Sequence, residues 1–392
     1  MVIGIKEGDK MQKIYLDNAA TAESTSDIVM FPIWGNPSSM HSVGKYANLL
    51  LNTARKIFLD FLNAPDGGTI IFTSGGTESN NLAIMGLKKY LRSKEKKHIV
   101  TTRLEHPSVA NCCLELKENE EFCVSYVDVD SSGRVSLPHL ESILHEFSDV
   151  GLVSIQMVNS EIGTLQPIKE IGELCRKHGV LFHTDAVQGF GHYEIDVQES
   201  NIDLLSMSGH KIHSFKGIGA LYVKDKTLLS PILFGGGQQY GLRSGTENIQ
   251  GISNIAEEVS AVYQSRAINI WQDYYKDLWA SFEVGFDKTI GDLKFWYNGE
   301  GYGGHIMSLT IPHVEASAMV MMLDKKGVCV SNGSACHSNS LEPSTVLKEI
   351  GLNDEDALCT IRVSFSDWNT IDEAERAGMI IGETANEIYG IE

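Results

Sequence analysis

The feature that most constrains the fold of this chain is a regular alternation of apolar runs with amphipathic stretches between residues 69 and 224. Runs such as TIIFTS, KHIVTT and VLFHTDA have the length and composition of buried strands. The stretches between them have helical periodicity, and PIKEIGELCRKHG ends at a glycine, Gly179, as helices often do. Strand–helix–strand repetition predicts a mostly parallel sheet covered on both faces, with ligands beyond the carboxyl ends of its strands.

The rest of the chain predicts a second, smaller unit. A glycine-rich loop at 234–245 precedes a strongly helical stretch at 249–287, and further strands (HIMSLTIP, GVCVSN, TIRVSF) and helices follow. A chain of 392 residues is too long for one small core. We therefore expect a large domain at 19–264 and a small α+β domain formed by 1–18 and 265–392, carrying a loop at about 331–344.

Composition and charge exclude several function classes. A formal net charge of −19 disfavours nucleic-acid binding, which needs clustered basic residues. No run approaches 18 apolar residues, so no membrane span is predicted, and the charged start MVIGIKEGDKMQK does not resemble a secretory signal. A cytoplasmic location is expected. The seven cysteines form no CxxC pair and have no zinc-type histidine spacing, so no metal site is predicted.

The segment SGGTE, at residues 74–78, joins a predicted strand to a predicted helix. Adjacent glycines let backbone N–H groups approach an anion, and the helix N-terminus adds partial positive charge. Taken alone, the segment is better explained as a capped helix start in a tight turn, because Gly-Thr caps are common. Neither GxGxxG nor GxxxxGK[ST] occurs, so the dinucleotide and P-loop fingerprints are absent.

Two charged residues follow other predicted strands. Asp185 ends VLFHTDA, where a buried carboxylate needs a cation or a donor, and a protonated pyridine nitrogen is one such partner; a helix-capping role is the alternative. Lys211 ends the segment LLSMSGHK, a position suited to a lowered pKa and Schiff-base chemistry, although a lone lysine there is usually solvated.

Three further residues are candidates for chemistry. Cys336 lies in the Gly/Ser/Asn-rich stretch NGSACHSNS, where an exposed thiol indicates reactivity rather than packing. His106, in LEHPSV, is placed to lie over an aromatic ring, and Arg362, in TIRVSF, to clamp a carboxylate with its planar guanidinium. Taken alone, each of the latter two is better explained by a purely structural role.

Taken together, these segments resemble the NifS-like cysteine desulfurases, class V members of the fold-type I pyridoxal-phosphate enzymes. The resemblance is carried, in order, by YLDNAAT, GNPSSMHSVG, FTSGGTESNN, EHPSV, VSIQMVNSEIGTLQPI, FHTDAVQ, SGHKIHSFKGIGALYV, GLRSGTEN, SNGSACHSNSLEPSTVL and IRVSFS. These segments cover nearly the whole chain. The resemblance implies a large domain with a mostly parallel seven-stranded sheet, a smaller α+β domain and pyridoxal 5'-phosphate as cofactor.

The resemblance also implies roles around the cofactor. Lys211 would bind it covalently, Asp185 would pair with its ring nitrogen, and His106 would stack on its ring. Asn159 and Gln188 would hydrogen-bond its phenolic oxygen. The residues that would hold its phosphate are Gly76, Thr77, Ser208 and His210, with Thr246 reaching the phosphate of the partner subunit in a homodimer.

On the substrate side, the resemblance implies conversion of L-cysteine to L-alanine. Arg362 would bind the substrate carboxylate, with Asn36 beside it and Asn159 near it. Cys336 would accept the sulfur as a persulfide, pass it to a protein such as an iron–sulfur scaffold or a thiolation protein, and is able to ligate an iron–sulfur cluster transiently. The segment after Thr21 is shorter than is usual in the family, and His337 stands where a small hydroxyl residue is more usual.

Two other functions compete with this interpretation. Another class V enzyme, such as an aminotransferase or a selenocysteine lyase, would share Asp185 and Lys211 but would need no mobile thiol. A cofactor-bearing protein that mainly docks to a scaffold would show little turnover alone.

Overall fold

A seven-stranded sheet forms the centre of the larger part of the molecule. The computed structural model describes residues 13–24, 34–265, 267–300, 304–333 and 342–390, without the side chains of residues 264–269. The strands are β1 (Ile14–Tyr15), β2 (Thr69–Thr73), β3 (His98–Thr101), β4 (Cys123–Tyr126), β5 (Val150–Ser154), β6 (Leu181–Asp185), β7 (Leu204–Ser208), β8 (Gly219–Val223), β9 (Trp296–Asn298), β10 (Ile306–Thr310), β11 (Val328–Cys329) and β12 (Thr360–Ser364).

The helices cover both faces of this sheet and one face of a smaller sheet. They are α1 (Ser42–Phe61), α2 (Gly76–Ser93), α3 (Pro107–Asn119), α4 (Leu137–Glu146), α5 (Ile168–His178), α6 (Ile249–Ser265), α7 (Ala267–Asp287), α8 (Ala316–Lys325), α9 (Thr345–Glu349), α10 (Asp354–Leu358) and α11 (Ile371–Tyr389). None of the helices described combines the length and hydropathy needed to cross a membrane.

The large sheet has the strand order β2-β8-β7-β6-β5-β3-β4. Neighbouring strands are parallel from β7 through β4, and only β8 runs against its two neighbours. The prediction of a mostly parallel seven-stranded sheet is therefore confirmed. Along β2, Ile70 and Phe72 pack into the core on one face and Ile71 into the core on the other, so the whole run is apolar.

A second core surrounds the smaller sheet, in which β10 pairs antiparallel with both β9 and β12. Helices α7 and α11 supply Phe282, Phe286 and Ile381 to this core, and the parallel pair β1–β11 borders it. Helix α6 packs its residues from Ile249 to Val259 into the large core. The proposed boundary at 264/265 falls between the two cores and stays a prediction.

Some predicted elements have different bounds. The predicted strand GLVSIQMVN ends at Ser154 as β5, because the chain beyond it bonds irregularly to the end of β6, with Met157 N donating to the Asp185 carbonyl. The predicted strands FCVSYVDVD and GVCVSN shrink to β4 and β11, of four and two residues. Helix α5 ends as predicted at Gly179, whose φ is 66°.

Candidate active site

A cavity of about 250 Å³ lies beyond the carboxyl ends of β6 and β7. This is the edge at which parallel α/β sheets bind ligands. It collects residues that are far apart in sequence. Nine of the predicted site residues line it: Gly76, Thr77, His106, Asp185, Gln188, Ser208, His210, Lys211 and Arg362.

Lys211 ends a single 3-10 turn, Gly209–Lys211, that directly follows β7. Its ammonium donates hydrogen bonds to the carbonyls of Ala19 and Ala20, with 2.8 Å between Nζ and the Ala20 oxygen. Both alanines belong to the segment that follows β1, and both line the cavity. The lysine is thus held at the cavity wall by two backbone carbonyl oxygens.

Asp185 is buried at the end of β6, with 6% of its surface exposed. Its Oδ1 accepts a hydrogen bond from the Val187 N–H at 2.9 Å, and its Oδ2 accepts one from Asn80 Nδ2 at 2.7 Å. Both donors are neutral, so the negative charge of the carboxylate is left for a cation in the cavity.

A hydrogen-bond chain connects Asp185 to His106. The Nδ2 group of Asn80 donates to Asp185 and also to Ser108 Oγ, at 2.9 Å. The Ser108 hydroxyl is left to donate to His106 Nδ1, at 2.7 Å, and the Ser108 N–H donates to the same nitrogen at 3.1 Å. His106 Nδ1 is therefore an acceptor, and the ring proton of the neutral imidazole is on Nε2.

Glu105, which directly precedes His106, is buried, with 7% of its surface exposed. Its carboxylate accepts hydrogen bonds from the Gln156 N–H at 3.1 Å and from Thr102 Oγ1 at 2.8 Å. Burial raises the pKa of Glu105 to about 8, and the charge of Asp185 adds to the rise, against the two hydrogen bonds that lower it. The hydrogen bonds of Glu105 connect the segment that carries His106 to the backbone at Gln156.

The start of α2 forms a narrow cradle. Gly75 has φ = +153°, which favours glycine, and a Cβ added to Gly76 would lie 2.5 Å from Val187 Cγ2. The first N–H groups of a helix have no partner within it and attract anions. Across the cradle, burial lowers the pKa of His210 to about 4, and Lys211 and Lys216 lower it further, so its ring is a neutral donor or acceptor.

Arg362, on β12, reaches the cavity from the smaller sheet and is 2% exposed. Its Nη1 donates to the Ser160 carbonyl and its Nη2 pairs with Asp17 Oδ1, both at 2.8 Å. The Nε–H is buried and has no acceptor among the residues that the structure describes. This buried N–H and the adjoining Nη group present the planar geometry that binds carboxylates.

The remaining predicted residues lie elsewhere. Asn159 is buried outside the cavity lining, where its side chain bonds the backbone of Leu104, Glu161 and Ile162. Asn36 is exposed, and its side chain accepts from the Ser38 N–H. Thr246 is exposed on the loop before α6 and does not line the cavity of its own chain. Cys336, with His337, falls outside the described residues.

Sequence reasoning missed residues that support the site. Asn80, Glu105, Ser108 and Asp17 were not predicted, although each lies within or beside a segment that carries the resemblance. A polar side chain in such a segment indicates a supporting role only when its hydrogen-bond partner is known. Those partners are up to 345 residues away along the chain, as for Asp17 and Arg362.

The residues present fit pyridoxal phosphate. The buried carboxylate of Asp185, which accepts hydrogen bonds from two neutral donors, suits the ring nitrogen. The α2 cradle with Ser208 and His210 suits a phosphate, and Lys211 suits the aldehyde. For metals, one group of possible ligands was found in the described part of the chain: Glu141, His145 and His178 on α4 and α5. Glu141 is already paired with Lys177 at 2.6 Å, and the group lies outside the cavity.

The fold and the site together are those of a pyridoxal-phosphate enzyme. Residues 14–377 match the family model described as "Aminotransferase class-V", and the chain belongs to this pyridoxal-phosphate family. Among its relatives, the "Putative cysteine desulfurase IscS 1" of Bacillus subtilis strain 168 is 40% identical, over 96% of this chain and 100% of that protein. "Cysteine desulfurase IscS" of Methanosarcina thermophila is 38% identical, over 96% and 92%.

Solved structures agree with these relatives. A NifS-like protein from Rickettsia africae superposes with a TM-score of 0.82 at 30% identity, covering 97% of this chain and 100% of that one. The structure described as "SspA in complex with cysteine" has a TM-score of 0.75 at 34% identity, covering 92% and 100%. The resemblance to the NifS-like cysteine desulfurases is thereby confirmed.

Proposed function

We propose that this protein is a cysteine desulfurase that converts L-cysteine to L-alanine and transfers the sulfur to Cys336 as a persulfide. The observation that carries the proposal is the convergence of Lys211, Asp185 and Arg362 on one cavity. The first two suit a bound pyridoxal phosphate, and the third suits the carboxylate of an amino acid. The family match and the cysteine desulfurases among the relatives support the same activity.

Bound pyridoxal phosphate supplies an electron sink that stabilises negative charge at the α-carbon of an amino acid. Asp185 would keep the ring nitrogen protonated, which a buried carboxylate held by neutral donors favours. Gly76, Thr77, Ser208 and His210 would hold the phosphate, and Gln188 would donate to the phenolic oxygen. His106 would stack on the ring, with its Nε2 proton set by Ser108. Asn159 would act on the cofactor only indirectly, because its side chain is bonded to the backbone of Leu104 and Glu161.

Lys211 would hold the cofactor covalently through Nζ, and its free amine would move the proton of the substrate α-carbon once the substrate is bound. Arg362 would orient the substrate carboxylate through its guanidinium, with Asn36 as a second candidate for the same carboxylate. Cys336 then attacks the substrate sulfur as a thiolate. A sulfur–sulfur bond forms as the carbon–sulfur bond breaks, so that cysteine plus the Cys336 thiol yields alanine plus a persulfide.

The direct test is to incubate the purified holoenzyme with L-cysteine and quantify alanine and sulfide. We expect one alanine per sulfide when a small thiol is the only acceptor, a result that a mere docking protein would not give. Lys211→Ala should abolish the visible absorption of the bound cofactor. Cys336→Ala should keep that absorption and lose desulfuration of cysteine. Alanine production by Cys336→Ala at the wild-type rate would instead indicate another class V activity.

We also propose that the protein acts as a homodimer in the cytoplasm and delivers sulfur to a protein acceptor. Thr246 lies exposed and away from its own cavity, as expected for a residue that completes the phosphate site of a partner subunit. Large apolar side chains are exposed nearby in sequence, including Phe234 and Tyr240. Sedimentation of the holoenzyme, compared with Thr246→Ala for cofactor retention, tests this arrangement.

A further inference from the structure

Two buried histidines stack on each other behind the cavity. The rings of His192 and His305 are 4.1 Å apart between centroids and 16° from parallel. His192 follows a tight turn at Gly191, beyond β6, whereas His305 directly precedes β10 of the smaller sheet. The backbone carbonyl of His305 accepts from the Phe365 N–H at 2.8 Å, which anchors it beside β12. The stack therefore joins the two parts of the molecule at the cofactor lysine.

His192 has a defined pattern of donors and acceptors. Its Nε2 lies 3.2 Å from the carbonyl oxygen of Lys211, which can only accept, so Nε2 carries the proton. Its Nδ1 is then an acceptor for the Tyr275 hydroxyl, also at 3.2 Å. Tyr275 belongs to α7. The backbone of the cofactor lysine is thus connected, through His192, to a helix of the smaller part.

His305 orients a second cofactor residue, Gln188. The Nε2 group of Gln188 donates to the Ala19 carbonyl at 2.8 Å, which identifies its Oε1 as the acceptor facing His305. His305 Nε2 lies 3.4 Å from this oxygen and therefore donates to it. His305 Nδ1 is buried and has no hydrogen-bond partner among the described residues. The nitrogen left without a partner is thus the one that carries no proton.

The pair stays neutral through the physiological range. Burial lowers the pKa of His192 to about 4 against the attraction of Asp367, and His213 and Lys211 lower it further. Burial also takes the pKa of His305 well below its usual value, and His192, Lys211 and Arg362 add to the fall. Both rings therefore keep their single proton on Nε2 over the physiological pH range.

We infer that His305 is a positioning residue, which fixes the side-chain amide of Gln188 so that an N–H, not the carbonyl, faces the cofactor. This inference rests on the proposed placement of pyridoxal phosphate beside Gln188. One hydrogen of Gln188 Nε2 is used by Ala19, and the other is left for the cavity that Gln188 lines. The Ala19 carbonyl and the His305 donor hold this orientation together, because a rotated amide would point its oxygen at Ala19 and leave His305 Nε2 without an acceptor. Without the His305 donor, only the Ala19 carbonyl opposes a rotation that turns the amide oxygen towards the negatively charged phenolic oxygen.

The consequence is measurable in the spectrum of the holoenzyme. A donor to the phenolic oxygen stabilises its negative charge, so the lysine-bound cofactor loses its proton at a lower pH. Removing that donor should move the pH midpoint of the visible band upwards by about one unit, the size expected when a charge-assisted hydrogen bond is lost.

Three substitutions separate hydrogen bonding from packing. His305→Phe keeps an aromatic ring for the stack and removes the donor. His305→Asn keeps a small polar side chain whose amide stops short of Gln188. His305→Gln loses the ring and restores a donor near the position of Nε2. The proposal expects the midpoint to rise in the Phe and Asn variants and to return to within a few tenths of a pH unit of wild type in the Gln variant.

A matched control is His98, another buried histidine, on β3, whose Nε2 bonds Ser125 Oγ at 2.8 Å outside the cavity. His98→Phe and His98→Gln should lower the thermal midpoint without moving the spectral midpoint. The inference is overturned if the His305 variants bind cofactor but have the pH midpoint of wild type. It is also overturned if the midpoint of His305→Gln shifts as far as those of His305→Phe and His305→Asn. If His305→Phe does not fold, the Asn and Gln pair alone decides between these outcomes. A wild-type protein without a visible band would instead overturn the proposed function, and the inference with it.

Discussion

The side-chain amide of Asn80 donates to the carboxylate of Asp185 across 2.7 Å, in a region where both residues are almost fully buried. Asn80 lies in α2, the helix whose first residues form the phosphate cradle. One helix therefore orients both ends of the cofactor site. Its N-terminus faces the proposed phosphate position, and its second turn holds the carboxylate proposed to face the ring nitrogen.

Asn80→Ala should weaken both cofactor retention and folding, because it removes the donor to Asp185 and the donor to Ser108. Loss of a buried donor to a charged group costs about 1–3 kcal/mol. Asn80→Asp should be worse, since it places a second negative charge beside Asp185. Cofactor dissociation, followed by absorbance after dilution, measures the effect. Asn81→Asp, one residue along the same helix and more exposed, is the control, and equal losses in the two Asp variants would contradict the argument.

Glu105 should make the folded protein less stable as the pH rises from acidic to neutral values. Its folded pKa of about 8 lies above the ordinary value of 4.5, so its stabilising contribution is complete below pH 4.5 and is lost as the pH rises through 8. Glu105→Gln cannot ionise. At pH 5 the thermal midpoint of Glu105→Gln should lie below that of wild type, because a hydrogen-bond acceptor is lost. The difference between the two midpoints should then change steadily in favour of the variant as the pH rises to 8. Glu118→Gln, on the exposed face of α3, should show no such trend. A pH-independent difference for Glu105→Gln would refute the prediction.

Arg362→Lys should raise the KM for L-cysteine about 10- to 100-fold, because an ammonium lacks the planar pair of donors that grips a carboxylate. The absorption of the bound cofactor should be unchanged, since the guanidinium contacts Ser160 and Asp17 rather than the cofactor residues. Steady-state kinetics and an absorption spectrum of the same preparation test both statements. Arg134→Lys, in an exposed pair with Glu300, is the matched control. An unaltered KM would remove Arg362 from the substrate site.

Gly76→Ala should lower cofactor affinity about tenfold, because its new methyl group meets Val187 Cγ2 at 2.5 Å and displaces the cradle. Removing the obstacle should restore part of the loss, so the double variant Gly76→Ala/Val187→Ala should bind better than the single one. Titration of the apoprotein with pyridoxal phosphate gives the affinities, and Val187→Ala alone supplies the reference. A double variant as weak as Gly76→Ala would show that the cradle fails for another reason.

Much of the architecture was predictable because burial determines where apolar residues occur. Strands buried on both faces are continuously apolar, and helices buried on one face have apolar residues at helical spacing. The apolar run of β2 and the stretch of α5 that stops at Gly179 were both correctly placed. The predicted strand at 151–159 was too long, because the apolar residues after Ser154 are buried by the end of β6 rather than by strand pairing. Burial alone cannot tell a strand from an enclosed loop.

The positions of some site residues were predictable from the sequence, whereas the directions of their side chains were not. Lys211, Asp185 and His106 follow predicted strands, so topology brings them to one edge, and they do line the cavity. Asn159 carries the same sequence signal, but its side chain turns to the backbone of Leu104 and leaves the lining. The direction of a side chain depends on partners that a linear pattern does not contain.

Strand periodicity and ordered motifs are local properties, so the amino-acid pattern alone was enough to predict the sheet, the family, and a lysine and a carboxylate at the edge of the sheet. Tertiary structure decided which groups support them. Asn80 reaches Asp185, and His305 reaches Gln188, across 105 and 117 residues of chain. Hydrogen-bond direction, tautomer and burial arise only when such distant groups meet in a water-excluded space, where each donor must find an acceptor.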